Sequence, residues 1–214
     1  MPIIQGYVEH KTCTFDGKRL EMVLISRRRH GQAGTRYLSR GLDDEGNVAN
    51  FVETEQIIVY GNLVFSHVQV RGSVPLFWQQ RGLQAHTSIK RGAELTVKAF
   101  DKHLSGLVND YKNVIFINLL QKGRSYENDL TTALEVQFNI CVPKQVKLTN
   151  YDFHTETKGD KFHLIDNLIV KVEDKLVKDF GYYCEERETG RILSQQRGVM
   201  RTNCLDCLDR TNVV

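Results

Sequence analysis

Apolar positions alternate with polar ones through the first third of the chain, and then the period changes. Residues 3–8, 21–26, 48–52, 56–59 and 64–70 carry β-branched or alternating apolar side chains, the pattern of half-buried strands. Gly17, Gly31, Gly46 and Gly61 punctuate these runs and predict turns. The polar stretch around Cys13, between the first two runs, predicts a hairpin connection. Pro75 closes the fifth run before Phe77 and Trp78, which predict core and turn. From residue 93 the spacing becomes helical. Val97, Phe100, Leu104, Leu107 and Val108 predict a helix over 93–111. The continuous apolar run 114–120 predicts a short strand buried on both faces. Further helices are predicted over 126–140 and 161–179, and a strand over 146–153. A strand over 182–186 and an extended segment over 192–203 complete the chain. Alternating helices and strands make this an α/β fold, a mixed β-sheet with flanking helices.

Composition fits one large soluble-type domain. The chain has 214 residues, 41% hydrophobic and 26% charged. Its formal charge of +3 is too mild for a nucleic-acid binder. No run of eighteen apolar residues and no signal-peptide pattern occurs. Five cysteines without framework spacing fit a reducing compartment. Positive charge is uneven: Arg27, Arg28, Arg29, His30, Arg36 and Arg40 cluster without an acidic residue among them. Such a run reads either as a solvated face or as an electropositive rim that takes anionic lipid heads.

The chemistry concentrates at the end of the chain. Cys204 and Arg210 stand in a Cys-x5-Arg-Thr spacing, with Leu205, Asp206, Cys207, Leu208 and Asp209 between them and Thr211 after. Spacing alone is weak, because Cys13 and Arg19 share it. Context separates the two. The Cys204 loop follows an extended segment and leads toward a helix that Thr211 and Asn212 would cap. That order is the strand–P-loop–helix core of a cysteine-dependent phosphatase. It aims loop N–H groups, including those of Leu205, Cys207, Leu208 and Asp209, and a helix N-terminus at one anion.

Each residue type suits that task. A free thiol with pKa about 8.5 is only a few per cent thiolate at pH 7, and a loop that lowers it to about 5 raises that fraction roughly thirtyfold. The planar fork of Arg210 would bind two phosphate oxygens at once. Thr211 would donate to the sulfur as it leaves the phospho-enzyme. The expected course is attack by Cys204, a cysteinyl-phosphate, then hydrolysis. Asp206 is the expected general acid and Asp209 a carboxylate that braces the loop. Cys204 and Cys207 also fit a redox pair, but a zinc site is disfavoured, since no second Cys-x-x-Cys exists. Asp152 and His154, at a strand end, fit hydrogen bonding there, or a contact to the loop.

Arg201-Thr-Asn-Cys-Leu-Asp-Cys-Leu-Asp-Arg-Thr-Asn212 resembles the signature of Sac-domain phosphoinositide phosphatases, the group that includes the synaptojanins. Upstream blocks resemble the same family in the same order. They are Ala33 to Tyr37, Arg40-Gly41, Asp43 to Gln56, Val70 to Trp78 and Asn118 to Leu120. The resemblance implies hydrolysis of monophosphates from phosphatidylinositol phosphates without a metal or other cofactor. The 4-phosphate is favoured, with the 3- or 5-position also used in the family. By position it makes Cys204 the nucleophile, Arg210 the phosphate ligand and Asp206 the acid. It implies a peripheral place at the cytosolic face of membranes, with phosphoinositide lipids as partners. Full Sac domains have a subdomain before this region and a helix after the loop, so residues 1–214 are expected to be a catalytic region incomplete at both ends. Two other readings stay open: a catalytically silent phosphoinositide- or protein-binding module, and a phosphatase for phosphoproteins or soluble inositol phosphates.

Overall fold

The computed structural model describes residues 5–31, 40–81, 86–123, 126–158, 161–205 and 210–211. The strands are β1 (Gly6–Phe15), β2 (Lys18–Arg28), β3 (Val52–Tyr60), β4 (Leu63–Arg71), β5 (Trp78–Arg81), β6 (His86–Ile89), β7 (Asn113–Asn118), β8 (Val146–Asn150), β9 (Tyr183–Glu186), β10 (Arg191–Ser194) and β11 (Gly198–Asn203). The α-helices are α1 (Ala93–Tyr111), α2 (Asn128–Ile140), α3 (Phe153–Glu156) and α4 (Asp166–Asp174). A 9-stranded mixed sheet runs β1-β2-β3-β4-β11-β7-β8, with β9 and β10 joining at the edge of β4. The β1–β4 side is an antiparallel meander, whereas β4, β11, β7 and β8 are mutually parallel.

Local chemistry explains the elements. Asp16 and Gly17, both with positive φ (50° and 71°), form the two-residue turn between β1 and β2. An Asp-Gly pair with left-handed backbone matches the twist of the strands it joins. Cys13 therefore lies within β1, opposite Leu20, and not in the connection. In α1, Ala99, Phe100, His103, Leu104 and Leu107 are buried at three- and four-residue spacing, and the helix ends where the sequence predicts. β7 is buried on both faces, as its apolar run predicts. Val114 and Phe116 face a core shared with α1 and α2, and Ile115 and Ile117 face a second core shared with α4. Phe116 and Phe138 meet edge to face at 5.3 Å, as do Phe100 and Phe138 at 5.4 Å.

Several expected elements differ. Residues 48–52 do not form a strand. Val48 makes one bridge to Leu42, and Asn50, at φ 56°, turns the chain before β3 begins. The predicted helix over 161–179 is a 3₁₀ turn (Phe162–Ile165), then α4, then a π-helical turn (Lys175–Phe180). The extended segment 192–203 divides into β10 and β11. Between them the Gln196 side chain substitutes for backbone pairing. It accepts from Val68 N (2.8 Å) and donates to the carbonyls of Val68 (2.7 Å) and Gly198 (2.8 Å). The β5–β6 hairpin carries no sequence signal that predicts it; Trp78 is buried and donates to the Val74 carbonyl at 3.2 Å.

Candidate active site

The carboxyl ends of β11, β7 and β8 share one edge of the parallel sheet, and each ends in asparagine. Asn203 pairs in register with Asn118, and Asn118 with Asn150. Their side chains form a buried ladder. Asn203 Nδ2 donates to Asn118 Oδ1 (2.7 Å), and Asn118 Nδ2 donates to Asn150 Oδ1 (2.9 Å) and Thr131 Oγ1 (3.2 Å). Backbone bonds from Leu119 N to Asn203 O and from Tyr151 N to Asn118 O, both 2.9 Å, fasten the exits of the three strands. Ligand sites of parallel sheets occupy this end.

Cys204 is the first residue past β11. It is 2% exposed, is not in a disulfide, and packs among Ile115, Ile117, Leu119, Tyr151, Phe153, Ile165 and Leu168. Its sulfur is therefore enclosed by side chains in this conformation. Leu205 is buried beside it on the α1 side of the core. Asp206, Cys207, Leu208 and Asp209 lie outside the described residues. Arg210 and Thr211 are helical, so the turn begins earlier than a cap at Thr211-Asn212 would place it. Thr211 is buried and lines a cavity of about 210 Å³ with Arg71, Gln69, Thr202, Ser26 and Thr54.

The guanidinium of Arg210 turns to Glu127. Nη1 and Nη2 donate to Glu127 Oε2 and Oε1 at 2.8 and 2.5 Å, and Nη1 also reaches the Leu119 carbonyl at 3.3 Å. Burial alone would depress the Arg210 pKa, but the hydrogen bonds and charge of Glu127, with smaller help from Cys204 and Tyr126, raise it above the ordinary arginine value. Glu127 is 3% exposed and precedes α2. Its one signal in the sequence is a charged residue three and seven positions before Leu130 and Leu134, on the face that α2 buries.

The upstream block Ala33 to Tyr37, with Arg36, lies outside the described residues; Gly41 and Asp43 to Asn47 and the 72–76 turn pack toward the strand that leads into Cys204. Arg201 is fully buried on the α1 face; its Nη2 donates to the Ser73 carbonyl (2.6 Å), and its guanidinium lies 4.4 Å from the Phe116 ring centroid. Gly72 leaves room for it, since a Cβ there would stand 3.2 Å from Arg201 Nη2 and 2.8 Å from Val48 Cγ2. Ser73 Oγ accepts from Gly41 N at 2.8 Å. Gly41 has φ 71°, and a Cβ on it would reach 2.3 Å from the Leu76 carbonyl. Asp43 accepts from the amides of Glu45 (3.0 Å) and Asn47 (2.7 Å), closing the acidic turn on itself.

Two members of the basic run, Arg27 and Arg29, are matched by the protein's own carboxylates. Arg27 bridges Glu53 (3.1 Å) and Glu55 (2.5 Å), and Arg29 pairs with Asp110 (3.0 Å) over the Phe51 ring. Arg28 donates to Asn50 Oδ1 at 3.1 Å. Asp152 caps α3, accepting from Thr155 N (2.9 Å), and its other oxygen accepts from Lys122 N (3.0 Å), the strand-end role expected of it. Among the described residues no helix is long and apolar enough to cross a membrane.

Comparison with known proteins supplies the family. Residues 1–158 match the profile of the SacI homology domain. The chain is 41% identical, over 99% of its length, to an inositol-1,4,5-trisphosphate 5-phosphatase of Schizosaccharomyces pombe. It is 38% identical over its whole length to a phosphatidylinositol-3-phosphatase of Danio rerio, and 40% identical to synaptojanin-2 of Rattus norvegicus. It spans 20%, 36% and 14% of those three proteins. These alignments run through the signature at 201–212, beyond the matched profile. A profile covering most of the chain, and relatives near 40% identity along all of it, place this protein in the SacI homology domain family.

Proposed function

We propose that this chain is the catalytic region of a phosphoinositide phosphatase, a phosphoric monoester hydrolase in which Cys204 is the nucleophile. The observation that carries the proposal is the placement of Cys204 directly after a central parallel strand, with the Arg210 guanidinium returned to the same sheet edge. Support for the substrate class comes from relatives named as inositol and phosphatidylinositol phosphatases.

The Cys204 thiolate attacks phosphorus and forms an S–P bond as the bond to the inositol oxygen breaks. Asp206 gives its proton to that oxygen. Arg210 neutralises charge on the equatorial phosphoryl oxygens. Water then attacks the cysteinyl-phosphate, Asp206 takes a proton back, and the sulfur leaves with a hydrogen bond from Thr211. The 4-phosphate of the lipid is the favoured target, reached from the cytosolic face of a membrane to which the protein binds peripherally.

The test is phosphate release from each phosphatidylinositol phosphate isomer in vesicles, and from each free headgroup, in the presence of a metal chelator. The full-length protein that carries this chain is compared with its C204S variant. Turnover on the lipid, lost in C204S and indifferent to chelation, is the expected result. Equal turnover on free headgroups would move the substrate to soluble inositol phosphates. A requirement for added metal would contradict the thiolate course.

One observation favours a second reading. The sulfur is enclosed, and the guanidinium is already held by a carboxylate. A catalytically silent module that binds phosphoinositides or a protein would keep such a closed arrangement. Tight vesicle binding without any turnover in the full-length protein would favour it.

A further inference from the structure

Among the described residues, Glu127 is the carboxylate that grips the signature arginine, and it comes from an unrelated part of the chain, 83 residues away. Both of its oxygens are used. Oε1 takes Nη2 of Arg210, and Oε2 takes Nη1 together with the Gln121 amide at 2.7 Å. The carboxylate thus ties three things together: the exit of β7, the start of α2 and the helical turn that carries Arg210. It stands at the start of α2, where the Thr131 amide closes on its carbonyl at 3.0 Å.

The edge of the guanidinium involved matters. Glu127 and the Leu119 carbonyl engage the two terminal nitrogens, and the Nε edge takes no part in those contacts. A guanidinium offers two bidentate faces. Holding one end with a buried carboxylate fixes the plane of the fork and directs the Nε–Nη2 side elsewhere. A buried ion pair contributes little net stability, because desolvation offsets the attraction. Its place on this particular arginine therefore points to orientation.

We propose that Glu127 is a positioning residue for the phosphatase reaction: it fixes the guanidinium of Arg210 so that the other side of the fork receives the equatorial oxygens of the transferring phosphoryl group. The inference rests on the phosphatase reading above, and its test has a readout that does not need turnover. Glu127 never touches substrate; it acts through Arg210.

The experiment measures orthovanadate affinity and kcat/KM for a phosphoinositide in the full-length protein, across E127Q, E127D, R210K and the double variant E127Q/R210K. Misplacing a group that contacts the transition state costs about a hundredfold. E127Q is expected to weaken vanadate binding and kcat/KM together by about that factor, with E127D, which keeps the charge, recovering part of both. On the R210K background the further cost of E127Q is expected to fall below about twofold, since contacting residues couple. A purely structural role for Glu127 would give the same cost on both backgrounds and would overturn the proposal. So would vanadate affinity in E127Q equal to or tighter than wild type, or no vanadate binding by the wild type. If E127Q does not fold, the cycle is run with E127D, and equal costs on the two backgrounds would again overturn the proposal. Undiminished turnover in C204S would instead defeat the assignment of Cys204 as nucleophile and leave the vanadate comparison to decide the role of Glu127.

Discussion

Arg201 Nη2 donates to the Ser73 carbonyl at 2.6 Å inside the sheet, where neither residue is exposed to water. The contact joins the strand that leads into Cys204 to the Arg71-Gly-Ser73 turn, 128 residues earlier. It also stacks the guanidinium over Phe116. Lysine has no planar fork to span that carbonyl and that ring together. R201K is expected to lower the unfolding free energy by about 1–3 kcal/mol in urea denaturation. A change under about 0.5 kcal/mol would show that the contact is dispensable.

His103 gives a pH signature. It is buried in α1, and its Nδ1 donates to the Gly46 carbonyl at 3.0 Å. Burial, then the nearby charge of Arg201, holds its pKa well below the ordinary imidazole value. The unfolded chain therefore binds a proton that the folded chain refuses. Stability is full above about pH 6.5 and falls as pH drops from there, by up to about 1.36 kcal/mol per pH unit. H103Q is expected to flatten that part of the stability curve between about pH 6.5 and 5. An unchanged slope in chemical denaturation would contradict the assignment.

The asparagine ladder predicts coupling between stability and the site. Asn118 is fully buried and bonds Asn203, Asn150 and Thr131. N118A leaves those groups without their partner, at a cost of about 1–3 kcal/mol. The melting temperature is expected to fall, and phosphate release at a temperature where the variant is folded is expected to fall as well. Loss of stability with full activity would show that the ladder does not position the loop.

Gln196 replaces a missing strand rung with a side-chain amide. Q196A strands Val68 N–H and C=O and is expected to cost about 1–3 kcal/mol. Faster hydrogen exchange at the Val68 amide checks this directly, and exchange as slow as in the wild type would refute it.

Elements set by local chemistry were legible in the sequence. The α1 helix follows from a three- and four-residue apolar period, and the β1–β2 hairpin from two strand runs with an Asp-Gly between them. What was illegible depends on distant partners. The chain turns at Asn50 because that residue takes a left-handed backbone, and nothing in the apolar run 48–52 announces it. The helix from 161 to 179 has one apolar period but three hydrogen-bonding registers. At the candidate site, the signature singles out Cys204 and Arg210 as candidates by residue type and spacing. Glu127 could not be found this way, because its partner lies 83 residues away and its neighbours in sequence form an ordinary helix start. The cluster Arg27 to Arg29 looked unopposed along the chain. Strand pairing brings Glu53 and Glu55 beside it, a charge match that only register reveals.

Phosphate is expected to pass through the sulfur of Cys204. Acid-quenched turnover of a phosphoinositide by the full-length protein, followed by peptide mass spectrometry at low pH, tests it most directly. A phosphoryl group on the peptide that contains Cys204, appearing with substrate and absent in C204S, is the predicted result. Phosphate release that continues in C204S, or a phosphoryl group carried by another residue, would contradict it.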